Sequence, residues 1–206
     1  MTDIPLRFGS DSKTRTEDAP LLQGHARFTD DVNLPGQAYA VFARAQVAHA
    51  HLRSLNTAAA LAMPGVIAVL TGADLLRDGV GGIPPVAIFP GRDGKPMFQA
   101  VMPALAQERV RYVGEPLAIV IAETQAQAAD AAELVEAEFD ELPAAPTVET
   151  ALASGATALF TERPNNIALD WEHGDAAAVD AAFARAAQVT RVRLQDPRME
   201  IGRAHV

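Results

Sequence analysis

The 206 residues carry a formal charge of −9 and are 49% hydrophobic, enough apolar material to pack one full domain and part of a second. Scattered arginines on an acidic chain exclude the electrostatic footprint of a nucleic-acid binder. The absence of cysteine excludes disulfides and any cysteine-held iron–sulfur or zinc site within these residues. No apolar run approaches the roughly 18 residues of a membrane helix, and the polar start MTDIPLRFGSDSKTRTEDAP lacks the charged-then-apolar order of a leader. The composition predicts a cytoplasmic protein with no nucleic-acid partner and no membrane span.

In chain order, residues 1–20 have few apolar side chains and read as an extended arm. Asp30 and Asp31, adjacent acids before the Pro35-Gly36 turn, read as solvated or capping groups ahead of the alternative of metal ligands. Tyr39, Val41 and Ala43 share one face of a predicted strand. His49 and His51 follow at i, i+2, a spacing that suits a metal only if a third ligand approaches. Leu52 to Asn56 reads as a strand, and Thr57 as the cap of a short helix stopped by Pro64-Gly65. Val66 to Leu70 is a compact apolar strand, and Thr71 to Leu75 a turn away from it. Arg77 to Ala100 is dense in Gly and Pro and reads as a long surface loop. Its Gly79, Gly81 and Gly82 make a weak phosphate cradle, because no strand leads into them.

The organising stretch is RVRYVGEPLAIVIAETQAQAADAAELVEAEFDELPA, residues 109–144. Leu117 to Ala122 is continuously apolar and predicts the most buried strand, opened by Pro116 and covered on both faces. Thr124 and Gln127 have the spacing of a capping box, so a helix begins at Gln125. Ala128, Ala131, Ala132 and Val135 lie on its inner face, with Asp130 and Glu133 in water. Val135 to Leu142 alternates apolar with acidic residues and predicts a strand wet on one side. Beyond it come a short helix at Val148 to Ala153, a strand opening at Asn166 to Trp171, and a helix started by Gly174-Asp175. That helix has Val179, Ala182, Phe183 and Ala186 on one face, and a further strand spans Val189 to Leu194. Trp171, the only tryptophan, reads as core or domain-interface packing rather than substrate stacking.

This 109–144 segment resembles the close of the α/β hammerhead domain in the molybdopterin-binding large subunits of the xanthine dehydrogenase, aldehyde oxidase and carbon monoxide dehydrogenase family. The resemblance extends to the opening at Arg15 to Asp31, to His49-Ala50-His51 and to AALAMPGVIAVLTGADL. It implies an α+β fold: an arm at 1–20, a hammerhead domain at 21–145, and at 146–200 a linker with the truncated start of the molybdenum-cofactor-binding domain. It also implies the first part of an oxidoreductase that holds molybdenum–molybdopterin and oxidises an aldehyde, an N-heterocycle or carbon monoxide with water as oxygen source. The implied partners are a 2Fe-2S small subunit and an FAD-binding medium subunit, in a dimer of heterotrimers.

The residues themselves show no nucleophile elbow, HExxH or P-loop. The family's cofactor loops and catalytic Glu have no counterpart before Val206, so no catalytic, cofactor-binding or metal residue is assigned. The competing reading is a noncatalytic assembly module. Arg198-Met199-Glu200 resembles the beginning of the family's Met-Glu-Pro-Arg motif, but Ile201 stands in place of the expected Pro. Codons for Ile201 to Val206 coincide with a sequencing-library adapter, which predicts a non-native tail over 201–206.

Overall fold

The computed structural model describes residues 15–85 and 87–194. The predicted 201–206 tail, the Arg198-Met199-Glu200 motif and residues 1–14 of the arm lie outside them. The chain divides into two units. In the first, which includes residues 15–37, helix α1 (Asp18–Leu22) replaces the end of the expected arm. Asp31 caps a single 3-10 turn, its carboxylate accepting the Phe28 N–H at 2.8 Å.

The second unit, from Ala38, holds strands β1 (Tyr39–Arg44), β2 (Ala50–Asn56), β3 (Val66–Thr71), β4 (Arg109–Val110), β5 (Pro116–Ala122) and β6 (Glu136–Glu141). Its helices are α2 (Ala58–Leu61), α3 (Gly72–Arg77), α4 (Gln125–Ala132), α5 (Val148–Leu152) and α6 (Ala176–Arg185). The strands form two antiparallel sheets, ordered β1-β5-β3 and β4-β2-β6. Each predicted strand–helix–strand unit therefore spans both sheets: β2–α2–β3 crosses one way and β5–α4–β6 crosses back.

β5 is the most buried of these strands, with Leu117, Ala118, Val120 and Ala122 at 3% exposure or less. Val120 packs with Ala60 and Ala131 beneath α2 and α4, against Met63, Val66, Val69, Ala132 and Val135. Small residues on the inner face of α4 let the helix approach the sheet closely. Leu117, at the other end of β5, joins Val110, Ala45 and Ala106 in a second cluster backed by Leu52, Leu55 and Phe139 of the second sheet. The expected cover on both faces holds only at that end. Ile119 and Ile121 are half-buried, and Phe42, the neighbour of Ile119 in β1, is 41% exposed.

α4 begins at Gln125, and the Thr124 hydroxyl accepts the Gln127 N–H at 3.2 Å. Only half of the expected box forms, because the Gln127 side chain bonds to the Thr124 hydroxyl at 2.8 Å rather than to its backbone. Thr124→Ala is expected to cost about 1 kcal/mol, read as a lower denaturant midpoint with an unchanged slope. At α2 the expected cap shifts by one residue: Thr57 makes no side-chain cap, and Asn56 Oδ1 accepts the Ala58 N–H at 3.1 Å. The turn expected after β3 is the start of α3, closed by a reciprocal Thr71–Asp74 box. β6 alternates as expected, its outward acids meeting β2 through Asn56–Glu136, Ser54–Glu138 and Arg53–Asp140.

Two expected strands do not form. Asn166 sits at φ 56°, a left-handed conformation that ends an extended run. Residues 189–194 have no ladder partner among the described residues, and a strand exists only by pairing. Trp171 is 60% exposed and stacked on His173 at 5.8 Å, so it is not a core residue of this unit.

Candidate functional site

The polar groups buried deepest lie where β4 turns into β5. Gly114, at φ 87°, allows the chain to fold back. The Glu115 carboxylate accepts the Arg111 N–H at 2.5 Å, and the Glu115 N–H reaches Tyr112 O at 3.2 Å. The end of β1 and the residue after it clamp the same turn: the Ala45 N–H donates to Glu115 O, the Gly114 N–H donates to Ala45 O, and Arg44 Nη1 donates to Gly114 O. Glu115 is 1% exposed, and its second oxygen has no partner among the described residues. Burial drives its carboxyl above the ordinary carboxylate range, opposed by the Arg111 N–H and guanidinium.

His49, which leads into β2, is 4% exposed. Its Nδ1–H donates to Pro143 O at 3.1 Å, which leaves Nε2 as an acceptor without a partner among the described residues. Burial lowers its pKa against the opposing hydrogen bond to Pro143 O, and the nearby Arg109, Arg111 and His51 add to the lowering. His51 is exposed on β2 and pairs with Asp140 in the ladder. Among the described residues no three His, Cys, Asp or Glu side chains are grouped to hold a metal.

Residues 144–168 close over this corner. Asn166 ties the segment to itself, its Oδ1 accepting the Leu159 N–H and its Nδ2 donating to Ala151 O and Thr157 O. Arg109 Nη1 donates to Ala158 O and Leu159 O, and the Phe98 N–H donates to Ala168 O. Four side chains stack in sequence: Arg163 lies 5.3 Å from the Phe98 centroid, Phe98 meets Phe160 edge-on at 5.4 Å, and Arg111 lies 4.7 Å from Phe160. Beside this ladder is a largely apolar cavity of about 470 Å³, lined in part by His49, Val113, Leu159 and both arginines. The sequence reading assigned no site residue and missed this group. The one local signal was Glu115, a lone acid between Gly114 and Pro116 ahead of an apolar strand.

A family model described as the aldehyde oxidase and xanthine dehydrogenase a/b hammerhead domain matches residues 23–143, more than half of the chain. The chain belongs to that family. Within it, the nicotine 6-hydroxylase large subunit of Paenarthrobacter nicotinovorans is 38% identical over 85% of this chain and 20% of its own length. The carbon monoxide dehydrogenase large chain of Hydrogenophaga pseudoflava is 35% identical over 89% of this chain and 23% of its own. In three dimensions, the reconstituted CO dehydrogenase from Oligotropha carboxidovorans superposes with a TM-score of 0.72 at 32% identity, over 85% of this chain and 22% of that one. The chain thus spans about a fifth of the length of the curated relatives it matches.

The fold is the mixed α and β arrangement of the family's large subunits, and that family uses molybdenum. In the Gly79 to Gly82 run, a Cβ at Gly82 would meet Val101 Cγ1 at 2.6 Å and Met102 O at 2.7 Å, whereas Gly79 and Gly81 face open space. At the β4–β5 corner Arg109 and Arg111 donate to backbone carbonyls and Glu115 accepts the Arg111 N–H, while Arg111 Nε and the second Glu115 oxygen have no partner among the described residues.

Proposed function

We propose that this chain is the hammerhead-bearing part of the large subunit of a molybdenum hydroxylase. The full subunit would oxidise an aldehyde, an N-heterocycle or carbon monoxide in the cytoplasm. The observation that supports this is similarity to large subunits over 85–89% of the chain. When bound, a molybdenum–pterin group supplies a two-electron oxidation that draws its oxygen from water. Electrons leave through an iron–sulfur small subunit and an FAD-binding medium subunit in a dimer of heterotrimers. The part of the work that falls to this chain is structural: its two sheets and crossing helices form a rigid shoulder against which the remainder of the subunit packs. Residues 21–145 are the hammerhead domain and 146–200 lead into the cofactor-binding domain.

No residue of the chain is catalytic in this reading. Elemental analysis of the chain expressed alone should find no stoichiometric molybdenum, because a metal–pterin site needs positioning groups that these residues lack. The complete subunit purified with its partners should contain molybdenum, iron and flavin. Molybdenum held by the isolated chain, or a complete complex without it, overturns the proposal, and the second outcome favours a noncatalytic assembly module.

A further inference from the structure

The cavity beside the Arg163–Phe98–Phe160–Arg111 ladder has a composition that points to one kind of occupant. Its volume, about 470 Å³, falls within the roughly 300–1,000 Å³ of small-molecule sites. Its walls are mostly apolar, from Val113, Pro146, Leu159 and the two phenylalanines, and no Asp or Glu lines it. Two guanidiniums do. Among the described residues neither Arg111 nor Arg163 forms an ion pair. The Arg163 side chain makes no hydrogen bond among them either, only its contact with the Phe98 ring. In a chain of net charge −9, two arginines beside an apolar hollow, with only the buried Glu115 near Arg111 and no acid paired to Arg163, are a specific charge asymmetry. A guanidinium stacked on an aromatic ring is held flat with its N–H fork free for a bidentate acceptor.

We propose that this cavity binds a small amphipathic carboxylate, with Arg163 as the principal anchor for the carboxylate and Phe98, Phe160 and Leu159 receiving the apolar body. Arg111 is the weaker partner, because its guanidinium already reaches Arg109 O at 3.4 Å and its backbone N–H holds Glu115. His49 contributes shape, with its ring packed in the wall and bonded to Pro143. The site is separate from the chemistry proposed for the complete subunit and does not depend on it.

The test uses the 206-residue chain with benzoate as probe and benzyl alcohol as its uncharged counterpart, followed by the amide resonances of Val113 and Leu159. Benzoate should saturate these shifts and bind about tenfold tighter than benzyl alcohol, the difference expected of a charge-assisted pair. Raising the salt should narrow that gap. Arg163→Gln should weaken benzoate about tenfold and leave benzyl alcohol unchanged, whereas Arg163→Lys should retain part of the preference. Absence of saturation, equal binding of the two probes, or unchanged benzoate binding by a folded Arg163→Gln overturns the proposal. Should the glutamine variant not fold, the comparison of the two probes on the unaltered chain decides the matter. Saturation by an acetylated aspartyl peptide but not by benzoate would assign the cavity to a protein segment and likewise overturn it.

Discussion

Val120→Asp is expected to leave the second unit unfolded. Val120 is fully buried at the centre of β5, between β1 and β3 and beneath α4, in contact with Ala60 and Ala131. The substitution forfeits about 1.5–3 kcal/mol of apolar burial. It also places a carboxyl where no donor is available, which costs several kcal/mol more, or else the group protonates. Against a typical total stability of about 5–15 kcal/mol, that sum consumes most or all of what holds the domain together. Circular dichroism and a denaturant titration read the result directly. Ile119→Asp, one residue earlier on the half-open face, should be clearly milder because that side chain keeps contact with water. Equal losses at 119 and 120 would mean that the outer face of the first sheet is covered in solution.

The contrast between these two neighbours marks how far the sequence could be read. A continuous run from Leu117 to Ala122 announces a central strand, and it is one. The run cannot say how completely each face is covered, since half-covered and fully covered strands look alike when both faces carry apolar residues. Local rules worked where the interaction is local: Thr124 and Asp175 cap the helices that follow them, with Asp175 accepting the Ala178 N–H at 2.9 Å. They slipped by one residue at Asn56 and Thr57, two cap-forming types side by side with nothing in the spacing to choose between them. Asn166 was misread because its role is non-local. Its amide closes a loop over residues 151–159, and that position demands a backbone conformation no strand adopts. The aromatic–guanidinium ladder was invisible for the same reason, since its four members come from three separate segments that meet only in the folded chain. Family membership was legible because motif order along the chain survives even where side-chain geometry cannot be inferred.

Glu115→Ala should destabilise the fold by about 1–3 kcal/mol, the cost of leaving the part-buried Arg111 N–H without its acceptor. Glu115→Gln keeps an oxygen for that N–H and removes the charge, and its behaviour with pH separates the two effects. The folded pKa of Glu115 is raised above its ordinary 4.5 by burial. The folded state therefore holds a proton that the unfolded chain has already released. Its contribution is fully present below 4.5 and is lost as pH rises through the raised value. His49 works with the opposite dependence. Its folded pKa lies below its ordinary 6.5, so its contribution is present above 6.5 and is lost as pH falls toward the lowered value. In urea titrations across this range, Glu115→Gln should flatten the loss on the rising side and match or exceed the unaltered chain at pH 8. His49→Asn should flatten the loss below 6.5. The two slopes should change independently in the double variant only if the groups do not interact directly, and Arg111, which bears on both titrations, provides a physical route for coupling. A Glu115→Gln variant with an unchanged pH profile would show that the carboxyl is hydrated in solution and that the β4–β5 corner opens more readily than its hydrogen bonds imply.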